Sequence, residues 1–198
     1  MKQHKRLPLA LFLVFALCIQ TLSFTSTAAA LADPEPVFSA SDMTFSSGTD
    51  AVALPQSAVT QLSGLSSGTI IVDFTPTAMS TANCLFSLSN SSVTDAYFNL
   101  YIDNRGFLGL EVRNHGETRY VNLQGPAEVT RNTRHIMALS ADPQEGYKFY
   151  FDGDMVFQMP VALYELWEYD YRFMSTVNSA DVGYMGATYR NGSFGYPY

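Results

Sequence analysis

Two side chains of opposite charge stand two residues apart in the segment 109–113, which reads Gly-Leu-Glu-Val-Arg. Polar and apolar residues alternate here, as in a strand whose two faces meet different surroundings. The pattern places Glu111 and Arg113 side by side on one face and Leu110 and Val112 on the other. Such a pair can make charge-assisted hydrogen bonds to a polar ligand. It also suits an ordinary solvated strand face with a weak surface ion pair.

An aromatic residue is predicted to share that polar face. Tyr101 belongs to the strand candidate Tyr97–Ile102, and a loop with Gly at 104–106 joins it to the strand of Glu111 in a hairpin. We expect Gly109 to leave space beside the charged pair. An aromatic ring next to charged groups suits a sugar, since the ring packs on C–H groups while the charges bind hydroxyls. The alternative for Tyr101 is an exposed strand tyrosine without a ligand.

A second arginine lies near the C-terminus. Arg190 precedes the turn dipeptide Asn191-Gly192, and Tyr196 follows six residues after the arginine. The guanidinium is a planar fork that matches a carboxylate. Two arginines near an aromatic would therefore suit an anionic sugar.

Short strands separated by turn residues must position these groups. The Asp152-Gly153 pair between two alternating runs is a strong hairpin signal. Val59, Leu62 and Leu65 recur every three residues and predict one short helical turn. The remaining pattern predicts an all-β fold, a two-sheet antiparallel β-sandwich. The strand candidates are Ala51–Leu54, Thr69–Thr75, Cys84–Ser89, Tyr97–Ile102, Phe107–Arg113, Tyr120–Leu123, Arg134–Ala141, Tyr147–Phe151, Met155–Met159 and Val182–Tyr189.

An ordered set of segments resembles a known family over roughly residues 40–198. The matching segments are 68–72, 85–90, 97–101, 108–114, 146–150 and 186–196. They are similar to the family-40 carbohydrate-binding modules at the N-terminus of bacterial sialidases. The resemblance implies a concanavalin A-like, laminin G-like jelly roll with one or two short helical turns. It also implies that the ligand is terminal sialic acid.

The resemblance assigns a role to each candidate site residue. Arg113 and Arg190 would bind the sialic acid carboxylate, and Glu111 would accept hydrogen bonds from the amide N–H or a hydroxyl. Tyr101 and Tyr196 would pack on the sugar ring and its substituents.

The chain departs from the family pattern in three places. The residue lining the N-acetyl pocket would be Ala82, which is smaller than expected there. The module would be truncated at its last strand, because the chain ends at Tyr198. The segment Met159–Ala180 is more acidic and aromatic than expected, and is interpreted as a short helix or a loop at the sandwich edge.

The N-terminus has the pattern of a secretory signal peptide. A basic stretch with Lys2, Lys5 and Arg6 precedes an apolar run and an A-x-A-like end at 30–32. We expect a signal peptide over 1–32, a linker over 33–37 and a binding module over 38–198, secreted or held at the cell surface. An uncleaved membrane anchor is the alternative.

Charge and cysteine content narrow the ligand classes. The chain has 11 basic and 18 acidic residues. Cleavage after Ala32 would remove three basic residues, which gives 8 − 18 = −10. Such a surface repels nucleic acid and anionic membranes, so an anionic ligand needs locally placed cations. Cys84 would be the sole cysteine left, without a disulfide, as a buried apolar residue.

Other functions remain as alternatives to a sugar-binding module. A catalytic sandwich glycosidase would need two convergent carboxylates, for which Glu165 and Glu168 are candidates. His115 and His135 are isolated and predict no zinc site. No cofactor is expected, although acidic loops would allow structural calcium. An adhesive sandwich without a sugar site is the third alternative.

The preferred interpretation is a non-catalytic, monomeric module from an exported exo-α-sialidase. We expect sialylated glycans and glycoproteins as its partners, and neither nucleic acid nor membrane after signal cleavage.

Overall fold

The computed structural model describes residues 36–41, 43–45, 50–79, 82–117, 120–177 and 179–195. The predicted signal segment 1–32 and most of the linker 33–37 lie outside these ranges. Within them the strands are β1 (Val52–Ala53), β2 (Gly68–Phe74), β3 (Asn83–Ser89), β4 (Tyr97–Ile102), β5 (Leu108–Arg113), β6 (Val121–Gly125), β7 (His135–Asp142), β8 (Gly146–Phe151), β9 (Asp154–Met159), β10 (Val182–Met185), β11 (Thr188–Arg190) and β12 (Ser193–Gly195).

The strands form two antiparallel sheets and a separate hairpin. One sheet has six strands in the order β1-β10-β3-β4-β5-β6, and the other has four in the order β2-β7-β8-β9. The pair β11-β12 makes the hairpin. This arrangement confirms the predicted all-β sandwich.

Alternating side chains explain why the two sheets pack together. In β4 and β5, Phe98 lies opposite Val112 and Leu100 opposite Leu110, and all four are fully buried. The four-stranded sheet contributes Met137, Leu139, Tyr147 and Phe149 to the same apolar core. Burial of this apolar surface is the main force that holds the sandwich together.

The helices are short. Helix α1 (Gln56–Leu62) contains Val59 and Leu62 of the predicted helical turn, and Leu65 lies beyond its end. In the predicted edge segment, helix α2 (Tyr164–Trp167) lies between 3₁₀ turns at Val161–Leu163 and Met174–Thr176. No helix in the described part of the chain is long and apolar enough to cross a membrane.

The last predicted strand, Val182–Tyr189, is divided in the structure. β10 ends at Met185, and β11 begins at Thr188 after a turn at Gly186 with φ 85°. A side chain at Gly186 would collide with the Phe45 ring, which packs against that backbone. The break therefore depends on a contact from a distant part of the sequence, and it releases β11 from the sheet to form the hairpin.

Candidate functional site

The candidate site lies on the face of the six-stranded sheet that points away from the core. Here Tyr97, Asn99 and Tyr101 of β4 lie opposite Arg113, Glu111 and Gly109 of β5. The alternation predicted from sequence is confirmed, and it places Tyr101, Glu111 and Arg113 on one sheet face.

Glu111 and Arg113 form a close ion pair. Arg113 Nε donates to Glu111 Oε1 over 2.6 Å. The Glu111 side chain is 8% exposed and that of Arg113 is 33% exposed. Burial opposes the charged guanidinium, but the hydrogen bond and the charge of Glu111 outweigh it and raise the pKa of Arg113 above its ordinary value. The guanidinium also stacks over the Tyr120 ring, with 4.2 Å between its carbon and the ring centroid. Arg113 is thus held by Glu111 and Tyr120 while a third of its side chain remains exposed.

Tyr97 stands at the centre of the charged groups, a position that the sequence analysis missed. Its side chain is fully buried, and its hydroxyl lies close enough to the Glu111 carboxylate to be influenced by the charge of that group. Burial and the neighbouring Glu111 charge raise the pKa of Tyr97 far above its ordinary value, so the hydroxyl keeps its proton. Arg190 Nη1 donates to the same oxygen over 3.2 Å. Tyr97 is thus hydrogen-bonded to Arg190 on the hairpin and lies near Glu111 on the sheet.

The β11–β12 hairpin brings Arg190 to the sheet. Asn191 and Gly192 form its turn with positive φ angles of 54° and 79°, which the Asn-Gly signal predicts. The hairpin lies against β3 and β4. Thr188 Oγ1 donates to Asn99 Oδ1 over 2.8 Å, and Ser87 Oγ donates to the carbonyl of Ala187 over 2.8 Å. These buried side-chain bonds fix the position of β11 on the polar face.

Asp95, in the loop between β3 and β4, contacts the same hairpin. Its Oδ1 lies 3.6 Å from Arg190 Nη2. Its backbone N–H donates to Asn191 Oδ1 over 3.0 Å, and Asn191 Nδ2 donates back to Asp95 Oδ1 over 3.4 Å. Asp95 thus pairs with the turn of the hairpin and balances the charge of Arg190.

Tyr101 occupies the space that Gly109 was expected to leave open. The tyrosine ring lies directly on Gly109, where any side chain would collide with it. Gln124 Nε2 donates to the Tyr101 hydroxyl over 3.4 Å, and Arg105 Nη2 donates to Gln124 Oε1 over 2.7 Å. Because Tyr101 is largely buried, only a small part of its side chain can meet a ligand.

The six predicted site residues fall into three groups. Glu111, Arg113 and Arg190 gather around Tyr97. Tyr101 lies four residues further along β4, about 13 Å away at strand spacing, and partly buried Ala82 precedes β3 near that end. Tyr196 lies outside the described residues.

An open cleft adjoins the exposed part of Arg113. Its volume is 230 Å³, smaller than the range typical of pockets for drug-sized ligands. The cleft is lined by Thr94, Asp95, Arg113, Asn114, His115, Gly116, Glu117 and Tyr120. A larger cavity of 740 Å³ lies elsewhere, between β2 and β3, and neither Arg113 nor Arg190 lines it. The smaller cleft is the better candidate because Arg113, one of the predicted carboxylate-binding residues, lines it.

The residues considered for other chemistry have structural partners or lie in solvent. Glu165 and Glu168 are exposed on and beside helix α2, where the Glu168 N–H donates to the Glu165 carbonyl. His135 lies between Asp152, 2.8 Å away, and the N–H of Thr130, 3.1 Å away. His115 Nδ1 lies 2.9 Å from the Thr94 carbonyl oxygen. Among the described residues, no three His, Cys, Asp or Glu side chains form a group that would hold a metal.

Cys84 is buried within β3, as predicted. Burial raises the pKa of its thiol to about 12, so the thiol stays protonated at neutral pH. We therefore assign Cys84 to packing.

Comparison with known proteins identifies relatives of the chain. The family model described as the sialidase N-terminal domain matches residues 44–198. The anhydrosialidase of Macrobdella decora is 27% identical over 142 residues, which cover 68% of this chain and 18% of the relative. The chain thus spans about a fifth of that relative's length.

Two solved structures from Ruminococcus gnavus show the same fold. The IT-sialidase CBM40 has a TM-score of 0.72 and 26% identity, and the match covers 82% of this chain and 86% of that one. The same module bound to α2,3 sialyllactose has a TM-score of 0.63 and 27% identity, with 72% and 75% covered. Since the family model covers most of the chain and the sandwich superposes on these modules, the chain belongs to the sialidase N-terminal domain family, the family-40 carbohydrate-binding modules.

Proposed function

We propose that this chain binds terminal sialic acid on glycans. The observation that carries the proposal is that Arg113 lies opposite Tyr97 in the strand register and lines an open cleft, while Arg190 donates a hydrogen bond to the same tyrosine. The Ruminococcus gnavus module solved with sialyllactose supports the choice of ligand. A carboxylate that bridges two guanidinium groups gains charge-assisted hydrogen bonds from both.

The proposal gives each residue of the site a role. Arg113 and Arg190 bind the carboxylate, and Glu111 accepts hydrogen bonds from the amide N–H or a hydroxyl of the sugar. The exposed edge of Tyr101 and the side chain of Tyr196 contact the ring and its substituents. Ala82 lines the N-acetyl pocket, which its small side chain makes wider.

A titration with matched ligands tests this function. The 33–198 protein is titrated with α2,3-sialyllactose and with lactose, and binding is followed by NMR chemical shifts. We expect saturable shifts with sialyllactose and none with lactose, because lactose lacks the carboxylate. Equal shifts with the two sugars would contradict the sialic acid assignment.

We further propose that the module is part of an exported exo-α-sialidase and directs it to sialoglycans. Support comes from the family, from the signal-like N-terminus and from the anhydrosialidase relative, which is much longer than this chain. The isolated chain is proposed to have no catalytic site. A fluorogenic sialoside tests this part, and release of the fluorophore above a mock purification would refute it.

A further inference from the structure

The two arginines of the site have acidic partners of different kinds. Glu111 is buried and lies 2.6 Å from Arg113. Asp95 has a side chain that is 38% exposed and lies 3.6 Å from Arg190, beyond hydrogen-bond distance. The Glu111 pair is therefore a fixed part of the site, whereas the Asp95 pair is loose and open to water.

Asp95 lines the same cleft as Arg113. Arg190 is not among the described residues that line the cleft, but it lies 3.6 Å from Asp95, which does line it. A carboxylate bound between Arg113 and Arg190 must therefore approach Asp95, which carries the same charge. Repulsion between the two carboxylates opposes binding, and the attraction between Asp95 and Arg190 must be weakened. Each effect acts against an anionic ligand and has little influence on a neutral one.

We infer that Asp95 is an internal competitor for the anion-binding site at Arg190, and that it lowers the affinity for sialic acid. The inference rests on the proposed function for the identity of the ligand. Asp95 therefore affects specificity, because an anionic ligand must compete with it for Arg190 and a neutral ligand need not.

Asparagine is the informative replacement. In Asp95→Asn the amide oxygen still accepts from Asn191 Nδ2, and the backbone N–H of residue 95 still donates to Asn191 Oδ1. The turn of the hairpin keeps its contacts while the competing charge is removed. We expect the dissociation constant for α2,3-sialyllactose to fall about twofold to fivefold, the range for a partly exposed ion pair.

Two further variants separate this effect from a general change in charge. Glu128→Gln removes the same charge at an exposed position. The neighbouring residue Val129 packs on Gly106 in the β4–β5 turn, which lies at the opposite end of these strands from Arg113. Glu128→Gln should leave the affinity unchanged. In an Arg190→Ala background, Asp95→Asn should give a smaller gain, because only the direct repulsion between the two carboxylates remains. Unchanged or weaker binding by Asp95→Asn, the same gain in Glu128→Gln, or a gain that is undiminished without Arg190 would overturn the inference.

A second measurement does not depend on sialic acid. The Arg190 side-chain N–H signal, assigned by its loss in Arg190→Ala, is followed during titration with sodium acetate. Acetate should shift this signal at lower concentration in Asp95→Asn than in the wild type, and an equal response would refute the competition. Wild-type protein that responds to acetate but not to sialyllactose would refute the proposed ligand and leave the competition by Asp95 standing.

Discussion

Arg113 combines two properties that a carboxylate-binding residue needs. Its orientation is fixed by the 2.6 Å bond to Glu111 and by stacking on Tyr120, yet a third of its side chain remains exposed. A side chain that is already ordered loses less conformational entropy on binding. If Arg113 binds a carboxylate as we propose, little of this ordering cost remains to be met on binding.

The first prediction concerns replacement of Arg113. Arg113→Ala should abolish detectable binding of sialyllactose, since loss of one partner in a desolvated charge pair costs about 2–5 kcal/mol. Arg113→Lys should also weaken binding, because the ammonium lacks the planar fork. NMR titration measures the affinity, and a thermal melt shows whether the fold persists. Wild-type affinity in Arg113→Ala, or unfolding of that variant, would exclude the proposed role of Arg113.

Tyr97 provides the second prediction at the residue scale. Tyr97→Phe keeps the ring but removes the hydroxyl that accepts a hydrogen bond from Arg190. We expect weaker sialyllactose binding by about 1–3 kcal/mol, the cost of an unsatisfied partner at a buried site. If Tyr97 positions Arg190, the effects of Tyr97→Phe and Arg190→Ala should not add in a double-mutant cycle. Additive losses would show that Tyr97 acts independently of Arg190.

At the element scale, the site depends on where the β11–β12 hairpin docks. β4 and β5 carry most of the polar face, but Arg190 reaches it only through the turn at Gly186 and the contacts of Thr188 and Ala187 with the sheet. The hairpin makes no backbone ladder with the six-stranded sheet in the described part of the chain. A disturbance of the hairpin should therefore affect the ligand more than the fold.

Gly192→Ala tests this dependence. Gly192 has φ 79° and open space around the position of a Cβ atom, so alanine adds backbone strain of about 1 kcal/mol without a collision. We expect weaker sialyllactose binding and a nearly unchanged melting temperature. Gly153→Ala is the matched control, because Gly153 has φ 95° and the same open space in the β8–β9 turn. The control should lower stability and leave affinity unchanged, and the reverse pattern would contradict the role given to the hairpin.

Local sequence patterns predicted the strands and turns. They missed the features that depend on contacts between residues far apart in the sequence. Strict alternation identified the faces of β4 and β5, and the Asn191-Gly192 turn was visible as a dipeptide. The importance of Tyr97 was not visible, because it arises when Arg190 approaches from another element. The turn at Gly186 was missed for a similar reason, since Phe45 packs on that backbone from the other end of the module.

At the scale of the whole molecule, one sheet serves two purposes on its two faces. The inner face of β4 and β5 holds the sandwich together, and the outer face carries the charged groups of the site. Side chains on opposite faces of a strand alternate, so stability and binding are assigned to different residues of the same strand. The two properties should then respond separately to mutation.

Leu110→Ala measures this separation. Leu110 lies between Gly109 and Glu111 in the sequence, but its side chain points to the opposite face of the strand. It is fully buried in the core, opposite Leu100. Its truncation should lower the free energy of unfolding by about 2–5 kcal/mol, the sum of lost apolar contact and a residual cavity. Chemical denaturation measures that loss, and a sialyllactose titration under conditions where the variant is folded should give the wild-type dissociation constant. Arg113→Ala is its counterpart on the outer face and should lower affinity far more than stability. If Leu110→Ala abolished binding in folded protein, the two faces would be mechanically coupled, and the sheet could not be treated as a rigid support for the site.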